Sequence, residues 1–176
     1  MIPKIINYVI LSLAIGLTVT SGFSQNTSTS KGSTTKTAAQ VFPQPIGYIS
    51  DFEGILTEQQ EQELTLLLKK HEQETTDQIA IVTLASLKPY DNINDYSLDL
   101  ANYWGIGQKD KNNGALIALG KGLRNIRIQN GYGIESRLTE TETKKIVDEI
   151  MIPQFKAGNY YEGLKKGLKA IIEELK

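Results

Sequence analysis

Two apolar runs constrain this chain more than any other feature. "QIAIVTLA" (78–85) and "ALIAL" (115–119) are apolar at odd and even positions alike. A half-exposed strand alternates; a strand that is apolar on both parities needs cover on both faces. The first run is also rich in β-branched residues. The chain between them supplies an amphipathic helix. Asn92 can cap it, Asp95 suits its first turn, and Ile93, Tyr96, Leu100, Ala101 and Trp104 share one face before Gly105 and Gly107 end it. A β-α-β unit of this length implies two parallel strands with a right-handed connection.

The flanking segments complete the layers. Thr57 and Gln60 have capping-box spacing, and Leu64, Leu67, Leu68 and His71 follow at helical intervals, which predicts a helix over about 57–75. "RNIRIQN" (124–130) alternates, with Ile126 and Ile128 inward, and "GKG" before it turns the chain back as a hairpin. Thr139 and Glu142 form a second capping box, and Pro153 is expected to stop the helix that follows. A last helix over about 159–175 buries Leu164, Leu168, Ile172 and Leu175. The order α β α β β α α, with a short strand near 46–49, gives an α/β fold: a three-layer α/β/α sandwich around a small mixed β-sheet.

The N-terminal quarter reads differently. Lys4 is the only charge in the first thirty residues, and the apolar run "YVILSLAIGLTVTSG" follows it. This is the pattern of a secretory signal peptide over 1–24, with cleavage expected after Ser24; the alternative is an uncleaved anchor. Residues 25–44 are Ser/Thr-rich and poor in large apolar groups, as in a flexible linker. The folded domain is expected over 45–176, exported to the periplasm or secreted, with no membrane span after cleavage. A net charge of −1 argues against a nucleic-acid partner. The absence of cysteine excludes disulfides, thiolate metal sites, a cysteine nucleophile and an acylated lipoprotein anchor.

Chemistry-bearing residues are sparse. With one histidine, His71, and no cysteine, histidine-based zinc sites and Ser-His-Asp triads have almost no material. His71 itself lies on an apolar helix face, where a satisfied core imidazole is the ordinary reading. No serine has nucleophile-elbow context, and no Walker A pattern occurs. "GQKDKNNG" (107–114) offers the hard oxygen ligands Asp110, Asn112 and Asn113, suited to calcium, which takes roughly six to eight oxygens. The same residues make an ordinary polar turn. "GYG" (131–133) with Glu135 permits close backbone approach through Gly131 and Gly133, or is a simple strand-to-helix turn. In "SDFEGIL" (50–56), Asp51 and Glu53 either cap the next helix or ligate a cation. Arg124, Arg127 and Arg137 offer bidentate phosphate contacts or a solvated face.

Five ordered stretches point to a family: "YISDFEGILTEQQEQEL", "QIAIVTLASL", "DYSLDLANYWGIGQKDKNNGALIAL", "RNIRIQNGYGIESRLTETE" and "IMIPQFKAGNYYEGLKKGL". Together they resemble the TPM domain family over about 46–175. The resemblance implies the same sandwich and an exported or lumenal setting. It also implies divalent-cation binding or acid phosphatase activity, or an auxiliary role for a membrane-complex or envelope partner. Asp51 matches the acidic position of the family's opening stretch. Asn113 and Gly114 match its Asp-Asn-Gly, with Asn112 where aspartate is frequent, so any cation site loses a negative charge. Gly131, Gly133 and Glu135 match its Gly-Tyr-Gly turn, with Ile134 intervening. The expectation is therefore a divalent cation, calcium by ligand type, held by Asp51, Asp110, Asn112, Asn113 and Glu135. Gly114, Gly131 and Gly133 shape the turns. The alternative is a metal-assisted phosphatase, with Arg124 or Arg137 on the phosphate.

Overall fold

The computed structural model describes residues 42–176. The signal-like segment and most of the linker, 1–41, lie outside the described residues. The elements are β1 (Ile49–Asp51), α1 (Glu58–Thr75), β2 (Gln78–Thr83), α2 (Ile93–Trp104), β3 (Gly114–Gly120), β4 (Asn125–Asn130), α3 (Glu140–Lys145), a π-helical segment (Ile146–Met151), α4 (Ile152–Lys156) and α5 (Tyr160–Glu174). One sheet runs β1-β2-β3-β4; β1, β2 and β3 are parallel and β4 is antiparallel to β3.

Both apolar runs are covered on both faces. On one side Ile79, Ile81, Ala115, Ile117 and Leu119 pack with Leu64 and Leu68 of α1 and Leu164, Leu168 and Ile171 of α5. On the other side Val82, Leu116 and Ala118 pack with Ile93, Tyr96 and Leu100 of α2. The alternation of a strand's side chains delivers these two sets automatically. This is a mixed α/β fold in three layers.

The helix boundaries follow their caps. Thr57 and Thr139 each close a capping box with Gln60 and Glu142, and Asn92 accepts from the Asp95 amide. β1-α1-β2 and β2-α2-β3 advance the same way across the sheet, and α1 and α2 lie on opposite faces, so the two crossovers differ in hand. One expectation needs correction: Pro153 does not stop the helix after Thr139. The chain passes through the π-helical segment, and Pro153 stands in the first turn of α4, where its missing N–H costs little.

No helix among the described residues is long and apolar enough to cross a membrane.

Candidate functional site

The sheet has two chemically distinct ends. Gln78 pairs with Gly114 and Thr83 with Leu119, so the ends of β2 and β3 lie about 17 Å apart along the strands. Asp51 pairs with Thr83 and therefore stands at the carboxyl end of the parallel strands. Asn113 immediately precedes Gly114 at the amino end, and Asn130, which leads into Gly131 and Gly133, pairs with Ala115 at that same end. The five oxygen-bearing side chains expected to share one crevice are thus divided between the two ends.

At the amino end the 107–114 loop is held by its own hydrogen bonds. The Gln108 amide donates to Asn113 Oδ1 (2.8 Å), and Asn113 Nδ2 donates to the Thr76 carbonyl (2.8 Å) and to Asp77 Oδ1 (3.2 Å). The Asn113 carbonyl accepts from Gln78 N, and the Asn112 carbonyl accepts from Gly133 N. The two turns meet so closely that a methyl group on Gly133 would overlap the Lys111 carbonyl, and one on Gly131 the Asn112 carbonyl. Gly114 is similarly pressed against the Ile106 carbonyl. Asn113 is buried, its side-chain oxygen and amide already partnered, while Asp110, Asn112 and Glu135 are exposed. This knot is built to join backbone to backbone.

A buried polar network underlies the knot. Asp77 is 3% exposed and lies 2.8 Å from Arg137 Nη1. That nitrogen directs its hydrogen bond to the Leu175 carbonyl (2.6 Å), so its contact with Asp77 is charge against charge rather than directional. Arg137 Nη1 therefore serves the fold. His71, 3% exposed, sits beside this pair with Nε2 3.3 Å from Thr75 Oγ1. Burial pushes its pKa down; the Asp77 charge opposes that shift and Arg137 assists it.

The carboxyl end carries a different set. Asp51 Oδ1 accepts from Thr83 Oγ1 (2.6 Å) and Oδ2 from the Leu56 amide (2.8 Å). Thr83 Oγ1 accepts in turn from Glu53 N. The Glu53 carboxylate takes the Lys121 and Gly122 amides (2.7 and 3.0 Å) and so fastens the end of β1 to the β3–β4 turn. Glu61 faces Asp51 from α1: burial first, then the Asp51 and Glu58 charges, hold its carboxyl above the usual range.

The β3–β4 turn also borders a cavity of about 720 Å³ between β4 and the helices that follow it. Lys121, Arg124 and Lys156 stand at its mouth, and Leu119, Ile126, Val147, Ile152, Phe155 and Tyr160 line its walls. Its acidic liner, Asp148, is paired with Lys144. Among the described residues none of the three cations is in an ion pair. The spacing argument singled out Arg124 but missed Lys121 and Lys156. Only the Gly-Lys-Gly hairpin signal pointed toward Lys121, and nothing local pointed toward Lys156.

Among the described residues no three His, Cys, Asp or Glu side chains gather closely enough to hold a metal ion.

Three comparisons with known proteins bear on this arrangement. The TPM domain family model matches residues 49–174. The N-terminal domain of a protein from P. gingivalis, solved by NMR, is 34% identical over 73% of this chain and 81% of its own, with a TM-score of 0.67. The BA42 protein from the psychrophilic bacterium Bizionia argentinensis shares the fold at 20% identity, covering 70% of this chain and 83% of its own, with a TM-score of 0.61. The N-terminal domain of the cg2496 protein from Corynebacterium glutamicum does so at 13%, covering 77% and 84%, with a TM-score of 0.59. No curated protein matches significantly. The matched span runs from β1 through α5 and contains both ends of the sheet, and on that basis the chain belongs to the TPM domain family.

Proposed function

We propose that this chain is an exported binding domain that takes an anionic ligand at the carboxyl end of its parallel strands. The observation that carries this reading is the convergence of Lys121, Arg124 and Lys156 on one cavity whose acidic liner is already paired. Ligands of open α/β sheets gather outside the carboxyl ends of the strands. Arg124 also adopts a left-handed backbone conformation (φ 50°), uncommon for a residue other than glycine and recurrent at functional sites. Export rests on the basic, apolar and small-residue pattern of 1–24. An exported binding domain suits an auxiliary role beside an envelope partner.

Titration with inorganic phosphate, followed by amide shifts, tests the reading. Shifts should concentrate at 120–126, 147–148 and 156, and Arg124→Gln with Lys156→Gln should abolish them. Shifts confined to the 107–114 loop would overturn it. Turnover of an aryl phosphate in metal-supplemented buffer, lost in Asp51→Asn, would make the domain a phosphatase.

A second reading, divalent-cation binding, is favoured by the crowding of Asp51 and Glu61. A cation beside them would favour the ionised form of Glu61, which burial first and then the Asp51 and Glu58 charges oppose. Calcium is the ion of choice for such hard oxygens, with water completing its shell. On this reading calcium shifts appear at 51–61 and leave 107–114 and 131–135 unmoved.

A further inference from the structure

The same cavity has a division of labour that a bare inorganic anion would not use. Its three cations are exposed at the mouth, and its walls are apolar. At about 720 Å³ it lies in the range of pockets that enclose a small organic molecule, and an inorganic phosphate would occupy only a corner of it. Phe155 and Tyr160 stack at 5.3 Å with their planes 16° apart, and Lys121 Nζ lies 5.2 Å from the Tyr160 ring centre. One wall, with Val147 and Asp148, belongs to the π-helical segment. Such insertions recur at functional sites. Here the segment turns Val147 and the start of α4 toward the cavity while Ile146 and Met151 stay in the core.

We infer that the ligand is an amphipathic anion: a single charged headgroup held by Lys121, Arg124 and Lys156, and a ring-sized apolar body lying against Ile126, Val147, Ile152 and Phe155. This rests on the anion-binding reading and narrows it. The headgroup chemistry common to phosphate monoesters and carboxylates satisfies the cations. The apolar body supplies affinity that charge at an exposed mouth cannot, because exposed ion pairs are screened.

Calorimetric and amide-shift titrations with 1-naphthyl phosphate, inorganic phosphate and 1-naphthol separate the contributions. The naphthyl phosphate should bind at least about tenfold more tightly than inorganic phosphate. Lys156→Gln should weaken both anions. Val147→Ser, checked for an unchanged fold by its amide spectrum, should weaken only the naphthyl ester. Equal affinity for the two phosphates overturns the amphipathic ligand and leaves the anion reading intact. Failure of both phosphates to bind removes both readings. Equal binding of 1-naphthol overturns the headgroup role. Retention on anionic phosphatidylglycerol vesicles without binding of naphthyl phosphate overturns the inference in favour of a membrane-facing surface.

Discussion

Asp51 gives both carboxylate oxygens to the fold before any ligand arrives. One takes the Thr83 hydroxyl and the other the Leu56 amide, so the side chain fixes the end of β1 against β2 and starts the turn into α1. Removing it strands a buried hydroxyl and an amide. Asp51→Ala should therefore cost about 1–3 kcal/mol in urea unfolding. A cost near zero would show that these two hydrogen bonds add nothing to the fold. At the other end, Gly133 is fixed by contact rather than by its own backbone angles. A methyl group there meets the Lys111 carbonyl, so Gly133→Ala must push the 110–113 turn away from the 131–133 turn. The expected cost is about 1–3 kcal/mol, with amide shifts spreading through 107–114. An Ala variant of unchanged stability would mean that the two turns separate freely.

At the scale of elements, local chemistry was readable and long-range chemistry was not. The caps at Thr57, Asn92 and Thr139 involve residues within three positions, so the sequence carries them whole. Thr139→Ala should cost about 1 kcal/mol in thermal or urea unfolding, since it removes the hydroxyl that accepts from the Glu142 amide, while the Thr139 N–H keeps its bond to the Glu142 carboxylate. Pro153 misleads because the rule that proline ends helices assumes α-helical bonding at its position. The π-helical segment changes that bonding. What stands against it is distant in sequence: Met151 presses on Gly167, and Phe155 on Gly163, where a side chain on either glycine would collide. No local pattern announces such a pairing. The division of the site was, by contrast, derivable. The hairpin correctly places the end of β4 beside the start of β3. The same logic puts Asp51, at the end of a parallel β1, with the ends of β2 and β3 rather than with their beginnings. The cavity needed tertiary knowledge, because Lys121 of the β3–β4 turn and Lys156 of α4 border one space only once the helices have docked.

For the whole molecule, the two sheet ends differ in character. The amino end is filled by a buried polar cluster of Asp77, Arg137 and Asn113 with His71 beside it, and the carboxyl end keeps three cations exposed around a cavity. The amino end predicts a pH dependence. Burial opposes the charge of His71 and holds its folded pKa below the ordinary 6.5. As pH falls through 6.5 the unfolded chain takes up this proton first, so stability is complete above that pH and declines below it. The acids whose folded pKa is lowered, Glu63 and Glu142, act in a different window. Their contribution is present above 4.5, their unfolded value, and is lost only as pH falls below it. Glu61, held high, has the opposite sign: its contribution is full below 4.5 and is lost as pH rises through its folded pKa. Between about pH 6.5 and 5 the histidine should therefore dominate the decline, offset in part by Glu61. Urea midpoints measured across that interval should fall in the native chain. In His71→Gln they should stay level or rise slightly, even if the variant starts from a lower stability. An equal decline in both would place the titrating group elsewhere and leave His71 a packing residue.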